Sequence, residues 1–324
     1  MEPDRVVFDE STGNSLHWKA ARPRVYRYVD TTHRFQVTQT LDSIASLSGI
    51  ATFVSAGSRY VVVKNYIYLF NNSTGLFERR SIVPEMSDTV AVSALKRASG
   101  EVVFAFANPN GMSMAVAWSD ESPPTVSKAF FAAESCSGLK LFEMGTDLYM
   151  ATTSYTNSLG VSSSVWLWTE DSRWQTIQTL EQTKCGGNGV DVIGWQGNVY
   201  LVVVCSGTKK AVVFRKTATQ GRFKLLQTFE ALYPPTFFTA GGALFLAVPR
   251  YDNDDRRQGM MYRLNGGRFD DFLPLGARAA GRIKTFTMAD DVYLLFICSF
   301  NTTTNVTGTS FDEYMAESTL YKWI

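Results

Sequence analysis

The chain has four cysteines, Cys136, Cys185, Cys205 and Cys298, and their spacing limits the thiol chemistry open to them. No Cys-x-x-Cys pair and no group of histidines accompanies them, which argues against a zinc site. Cys185 precedes a predicted strand, and Cys205 ends the strand that returns beside it, so the two could form a disulfide. Free buried thiols are the alternative. The pairing of Cys136 and Cys298, which belong to distant parts of the chain, stays open.

Asparagine acceptors for N-linked glycans are the second chemical feature. Asn-x-Ser/Thr triplets place these acceptors in predicted loops, at Asn71, Asn72, Asn301 and Asn305. Such triplets also arise by chance, so they favour secretion only together with other features. Residues 1–5 lack the pattern of a signal peptide, and a predicted strand follows them directly. We therefore expect this sequence to be one domain of a longer protein.

Other polar residues give little support for catalysis or metal binding. Residues 252–255, Asp-Asn-Asp-Asp, are similar to the start of a calcium loop, but Arg256 breaks the required carboxylate spacing. The only histidines, His17 and His33, have no nucleophile beside them. The glycine-rich residues 186–189 precede a strand and not a helix, unlike a phosphate-binding loop. We therefore predict no catalytic, cofactor-binding or metal-binding residues, and no enzyme.

Composition excludes several classes of partner. Lys plus Arg is 31 against 30 for Asp plus Glu, so the chain lacks the basic excess of proteins that bind nucleic acid. No apolar run is long enough to span a bilayer, and we expect no membrane insertion. A hydrophobic content of 45%, with 13% aromatics, is ample for a packed core.

A run of four residues rich in apolar and aromatic side chains, such as Ala211-Val212-Val213-Phe214, recurs along the whole chain. The fold that this repeat predicts must position the residues described above. The run occurs seven times, at residues 25–28, 67–70, 115–118, 165–168, 211–214, 261–264 and 320–323. Neighbouring copies are about 50 residues apart, and most are accompanied by three other short apolar runs bounded by Gly, Asn or Asp. This arrangement predicts an all-β fold, a seven-bladed β-propeller of four-stranded antiparallel blades. The strands of each blade are called A to D in chain order.

The repeat also predicts the domain boundaries. We expect a single domain over residues 1–324, with blades at about 4–41, 50–83, 92–133, 138–181, 190–230, 235–275 and 282–324. The last blade has strands A to C and ends where strand D should begin, so it is incomplete within this chain.

The central channel of such a fold is the place for converging acids or an ion. Asp191 is the one acid predicted at the inner end of a strand A, and the other blades offer Ala51, Ser93, Lys140, Thr236 and Lys284. One carboxylate does not form a cage, although carboxylates distant in sequence could still meet there. Tryptophans on strands C and D are expected to pack between blades, with a sugar-binding platform as the alternative; they are Trp118, Trp166, Trp168, Trp174 and Trp323.

The order of these motifs resembles the epilepsy-associated repeat, also called the EAR or EPTP repeat. The resemblance rests on an aromatic residue followed by Gln-Thr-Leu at 174–180, Tyr-Leu-Val-Val at 200–203 and Tyr-x-Trp at 321–323. It covers nearly the whole chain and is weakest at 84–133. The family includes the leucine-rich glioma-inactivated proteins and the thrombospondin-like EAR proteins. It implies a secreted or cell-surface propeller without catalytic activity, which serves in adhesion by binding a cell-surface receptor or matrix protein.

The predicted loops indicate which face binds. A–B turns are short, whereas the B–C connections at 154–163, 251–259 and 299–318 are long. Long loops on a rigid scaffold commonly carry binding residues, and loops without a binding role are the alternative. The candidate contact residues are Tyr155, Asn157, Tyr251, Asp254, Arg256, Arg257, Phe311 and Tyr314. The competing functions are a carbohydrate-binding or hydrolytic propeller that uses its central funnel, and an intracellular scaffold.

Overall fold

A computed structural model describes residues 6–9, 24–29, 34–41, 49–118, 126–131, 135–154, 162–169, 173–183, 187–231, 233–249, 259–275, 280–288, 291–298 and 319–322. These ranges contain β-strands and three short 3₁₀ helices, at Pro84–Met86, Glu181–Thr183 and Ser206–Thr208. None of the helices in these ranges has the length and apolar content needed to cross a membrane.

The strands form antiparallel sheets, each made of consecutive strands and numbered in chain order. Sheet 1 has β1 (Val6–Asp9), β2 (Arg24–Val29) and β3 (Arg34–Thr40). Sheet 2 has β4 (Ile50–Ser55), β5 (Ser58–Val63), β6 (Tyr66–Asn71) and β7 (Leu76–Ile82). Sheet 3 has β8 (Ala91–Lys96), β9 (Val102–Ala107), β10 (Ser113–Trp118) and β11 (Val126–Phe131). Sheet 4 has β12 (Cys136–Met144), β13 (Asp147–Ser154), β14 (Ser163–Trp168) and β15 (Trp174–Leu180).

Three further sheets follow in the same manner. Sheet 5 has β16 (Gly187–Trp195), β17 (Asn198–Cys205), β18 (Lys210–Thr217) and β19 (Lys224–Glu230). Sheet 6 has β20 (Thr236–Ala240), β21 (Ala243–Val248), β22 (Gly259–Asn265) and β23 (Arg268–Leu275). Sheet 7 has β24 (Ala280–Met288), β25 (Asp291–Cys298) and β26 (Thr319–Lys322).

This arrangement confirms the predicted all-β fold with the blade architecture of a β-propeller. Sheets 2 to 6 have four strands each, and the last sheet has three, as predicted. The least regular repeat still forms a complete sheet, β8 to β11. Sheet 1 departs from the prediction, because β1 pairs directly with β2, the strand expected third in blade one, and so takes the place next to it where strand B was predicted. Residues 10–23 lie outside the described part of the chain.

The chain is divided into two compact units. Unit 1 comprises Met1–Tyr155 and Ser164–Thr179, and unit 2 comprises Thr156–Ser163 and Leu180–Ile324. Sheets 1 to 4 belong to unit 1 apart from single terminal residues, and sheets 5 to 7 belong to unit 2. The extent of a single domain over 1–324 stays a prediction.

Tight hairpins join the first two strands of most sheets. Strand β16 ends at Trp195 and β17 begins at Asn198, so Gln196 and Gly197 form the whole connection. Both have positive φ, 47° and 72°, as a two-residue turn of the primed type requires. Two residues likewise join β4 to β5 and β12 to β13, so the short A–B turns predicted from the sequence are confirmed in these sheets. Between β24 and β25, residues 289 and 290 lie outside the described part of the chain.

Within each unit, hydrophobic clusters lie between successive sheets, and sheet 3 shows why its strands are apolar on both faces. Phe104 and Phe106 of β9 pack with Phe53 and Val62 of sheet 2. The alternate residues Val103, Ala105 and Ala107 pack with residues of sheet 4, among them Leu141 and Met150. Side chains alternate between the faces of a strand, so a sheet between two others needs apolar residues at every position of its central strands. All residues of β9 are accordingly buried.

Tryptophans contribute to these layers. Trp118 is buried and packs against Tyr60 and Phe104. Trp174 packs its ring against Phe131 of sheet 3 and Trp168 of its own sheet. Packing between neighbouring sheets is therefore the role of Trp118 and Trp174 in the described structure.

Hydrogen bonds also join the outer strands. The pairing of β2 with β3 shifts register between Val25 and Tyr26, so Thr38 forms a bulge and Gln39 follows it. The Gln39 Nε2 atom donates to the Phe77 carbonyl at 2.6 Å, and the Phe77 N–H donates to Gln39 Oε1 at 2.7 Å. Sheets 1 and 2 are therefore hydrogen-bonded through a side chain as well as packed.

Candidate functional site

The first strands of sheets 2 to 4 lie side by side in unit 1, as do those of sheets 5 to 7 in unit 2, and polar side chains connect them. In unit 1 the Leu141 N–H donates to Ser93 Oγ at 3.1 Å. In unit 2 the Phe237 N–H donates to Asp191 Oδ2 at 2.9 Å. Also in unit 2, Thr236 Oγ1 donates to the Ile283 carbonyl at 2.7 Å. Ser93, Asp191 and Thr236 therefore join the backbones of neighbouring sheets within each unit.

Asp191 is therefore a structural acceptor that joins the first strands of sheets 5 and 6. Its side chain is half-buried, and the bond to Phe237 holds one carboxylate oxygen in place. Within the described ranges, no three or more His, Cys, Asp or Glu residues lie close enough together to hold a metal ion. The arrangement can orient strands through charge-assisted hydrogen bonds.

A second set of contacts fixes the A–B end of sheets 3 and 4. Arg97 Nε donates to Glu143 Oε1 at 3.1 Å, and its Nη1 donates to Glu101 Oε2 at 2.9 Å. The Ala98 N–H donates to Glu143 Oε2 at 3.1 Å, so this carboxylate ties the backbone of one turn to the next sheet. The hydrogen bond with Glu101 is the main cause that raises the pKa of Arg97. Sequence reasoning missed this group, because its members are distant in the chain.

In each sheet considered by itself, the opposite end carries the B–C connection. From the strand bounds these connections comprise residues 155–162, 249–258 and 299–318 in sheets 4, 6 and 7. All of the predicted contact residues, Tyr155, Asn157, Tyr251, Asp254, Arg256, Arg257, Phe311 and Tyr314, lie outside the described residues. Where this end is described, Met112 is 54% exposed and Lys209 is exposed. Which residues of these connections contact a partner therefore stays a prediction.

The cysteines fall into two chemical classes. Cys205 is buried and disulfide-bonded, so the free-thiol alternative does not apply to it. Gly187, two residues after Cys185, pairs directly with Cys205 across β16 and β17. This register fits the predicted Cys185–Cys205 bridge, but Cys185 lies outside the described residues and the pairing stays a prediction.

Cys136 is a free thiol and is fully buried. Its Sγ–H donates to the Gly138 carbonyl at 3.6 Å. Burial raises the pKa of this thiol to about 12, because the apolar surroundings disfavour the thiolate. Cys136 therefore has the properties of a packing residue and not of a reactive cysteine.

The remaining candidates divide between described and undescribed parts of the chain. Asn71 is the last residue of β6 and is half-buried, whereas Asn72 lies in the turn between β6 and β7 and is exposed; the sequence predicts both in a loop. Asn301 and Asn305 lie outside the described residues, as do His17, His33 and residues 252–256.

Comparison with known proteins gives no family for the chain. No family model and no curated protein matches it. Among solved structures it is similar to a sucrose complex of a mutant GH32 β-fructofuranosidase from Bombyx mori, with a TM-score of 0.39 and 12% identity. The match covers 63% of this chain and 54% of that one, about half its length.

This match corrects one prediction. The expectation that the chain is not an enzyme is contradicted, because the matched protein is a β-fructofuranosidase, and we withdraw it. At this TM-score and identity the likeness gives no activity to this chain. The resemblance to the EAR repeat continues to rest on the sequence motifs.

Proposed function

We propose that this chain is an EAR-type propeller that works outside the cell as a protein-interaction module. Its partner, a cell-surface receptor or a matrix protein, binds at the end of the sheets that carries the B–C connections. The EAR resemblance supports the extracellular location and the class of partner.

The difference between the two ends of the sheets is the observation that carries this proposal. At the end that carries the A–B and C–D connections of sheets 2 to 6, these connections have only two to seven residues, and the Arg97–Glu143 contact holds neighbouring turns together. At the other end, sheets 6 and 7 have longer connections, which comprise residues 249–258 and 299–318. Variable loops presented by a rigid scaffold are a common basis of protein recognition.

The scaffold supports the loops by bonds that cross between sheets. Ser93, Asp191 and Thr236 join first strands, and the outer strands of sheets 1 and 2 are joined through Gln39. Because these hydrogen bonds already restrict the motion of the sheets, the scaffold loses less conformational entropy when a partner binds.

The test is binding of the labelled chain to intact cells after loop replacement. Residues 299–318 are replaced by a short Gly-Ser linker. The matched control inserts one Gly-Ser dipeptide between Gln196 and Gly197, at the opposite end. We expect the replacement to weaken binding at least about tenfold, equivalent to about 1.4 kcal/mol, and the insertion to leave it unchanged. Equal binding by both variants would overturn the choice of face.

A carbohydrate-binding or hydrolytic propeller is the second candidate, and Asp191 is the residue that bears on it. A hydrolase of this kind needs a pair of carboxylates, and Asp191 is a half-buried inner-strand acid. We expect Asp191→Asn to lower stability through its bond to Phe237 while leaving binding to cells intact. Loss of sugar binding or of sugar hydrolysis in this variant, without unfolding, would favour the second candidate. Protease treatment of the cells distinguishes a protein partner from a glycan.

A further inference from the structure

The turn between β6 and β7 carries two overlapping acceptor triplets. Asn71 is followed by Asn72 and Ser73, and Asn72 is followed by Ser73 and Thr74. Both satisfy the rule for N-glycosylation, and the sequence alone does not distinguish them. The hydrogen bonds of the turn distinguish the two asparagines, because they involve the side chain of Asn71 and not that of Asn72.

Asn71 uses both polar atoms of its side chain to close the turn. Its Nδ2 donates to Glu78 Oε1 at 2.8 Å, and its Oδ1 accepts the Ser73 N–H at 2.8 Å. The second bond is that of an Asx turn, in which the side chain stands in for a backbone acceptor. A sugar on Nδ2 would replace one of its two hydrogens and add a bulky group to an atom that lies 2.8 Å from the Glu78 carboxylate. Asn71 is therefore a poor position for a glycan in the folded turn.

Asn72 has the opposite surroundings. Its side chain is exposed, and no contact holds its amide in the described structure. The next residues, Ser73, Thr74 and Gly75, are also exposed, so a bulky group at Asn72 meets solvent. The turn lies at the A–B and C–D end of sheet 2, away from the B–C end that we propose for partner binding.

We propose that Asn72, and not Asn71, is an N-glycosylation site. The donor is an oligosaccharide joined through pyrophosphate to a lipid carrier, and the cell's oligosaccharide transferase catalyses the step. A bond forms between Asn72 Nδ2 and the anomeric carbon of the first sugar. The bond from that carbon to the pyrophosphate oxygen breaks, the carrier leaves with the electron pair, and Nδ2 loses one proton. This site depends on the extracellular location in the proposed function.

The test is to secrete the full chain from eukaryotic cells behind an added, cleavable signal peptide. Glycans are then removed enzymatically in ¹⁸O-water, which marks each former acceptor as labelled aspartate, and the tryptic peptide 65–79 is sequenced by mass spectrometry. Asn301 and Asn305 lie in other peptides and do not interfere. We expect label at Asn72 alone.

Two matched variants separate the triplets. Ser73→Ala removes the Asn71 triplet and keeps the one at Asn72, so the glycan should remain. Thr74→Ala does the reverse, and the glycan at this turn should be lost. Thr74→Ser restores the triplet and should restore the glycan, which controls for damage to the turn.

Label at Asn71, or an unmodified turn in secreted and folded protein, would overturn the proposal. Because the signal peptide is supplied, this result is independent of the natural route of secretion. Because the loop-replacement assay is separate, failure of the glycan site would leave the binding proposal standing, and the reverse also holds.

Discussion

The side-chain amide of Gln227 forms two hydrogen bonds with the backbone of Phe269 in the next sheet. Its Nε2 donates to the Phe269 carbonyl at 2.9 Å, and its Oε1 accepts the Phe269 N–H at 3.0 Å. Gln227 follows the bulge at Leu226, where the pairing of β18 with β19 shifts register. Gln39 and Phe77 repeat this geometry in unit 1. The glutamine that follows the bulge supplies the outer strand of the next sheet with a hydrogen-bonding partner that no backbone provides.

Replacement of this glutamine should therefore destabilise the fold. Gln227→Leu leaves the Phe269 N–H and carbonyl without their partner in a half-buried place, and we expect a loss of about 1–3 kcal/mol in the free energy of unfolding. Urea denaturation measures it. Gln175→Leu, at an exposed position of β15, is the matched control and should change stability by less than about 0.5 kcal/mol. Equal effects of the two substitutions would show that the amide pair adds nothing.

Gly49 should tolerate no side chain, because the backbone of the next sheet lies against it. A Cβ atom there would be 2.6 Å from the Val92 nitrogen and 2.9 Å from the Ala91 Cα. Backbone atoms cannot turn aside, so we expect Gly49→Ala to cost about 1–3 kcal/mol and to lower the thermal midpoint. Gly194→Ala is the control, since a Cβ there meets nothing within 4 Å. A midpoint for Gly49→Ala that equals that of the control would contradict the close approach.

The disulfide at Cys205 should contribute strongly to stability, and its partner should be Cys185. A bridge between Cys185 and Cys205 would close a loop of about 20 residues, and it is expected to add about 3 kcal/mol to the free energy of unfolding. We therefore expect Cys185→Ser and Cys205→Ser to cause the same loss and Cys298→Ser to cause little. Peptide mapping without reduction identifies the pair directly. A peptide joining Cys205 to Cys298 would refute the Cys185 pairing.

Cys136 should make stability fall in alkaline solution. Its pKa is raised by burial from 9.0 to about 12, so between these values the unfolded chain releases a proton that the folded chain keeps. The contribution of the thiol is complete below pH 9 and is lost as pH rises, at up to about 1.4 kcal/mol per pH unit. Urea denaturation from pH 8 to 10.5 should show a steeper decline for the natural chain than for Cys136→Ala. Parallel declines would contradict the shifted pKa.

The sequence by itself determined the strands and most of their turns. Alternation of side chains has a period of two residues, and the turn at Gln196-Gly197 is favoured by a glycine, which adopts positive φ without strain, so both are local properties. The recurrence of these local signals about every 50 residues was enough to predict consecutive sheets of a propeller. Even the irregular stretch at 84–133 formed the expected four strands, β8 to β11, because packing on both faces compensates for a weak pattern.

Only the tertiary structure decided which polar side chains join the sheets. Ser93 meets Leu141, Arg97 meets Glu143 and Asp191 meets Phe237, and these partners are 48, 46 and 46 residues apart. The structure also distinguishes the two acceptor asparagines, because the Asn71 amide is hydrogen-bonded to Glu78 whereas Asn72 is exposed. A hydrogen bond forms only when two groups come within about 3 Å at a suitable angle. Between sheets that distance depends on how whole surfaces pack, and no local pattern in the chain encodes it.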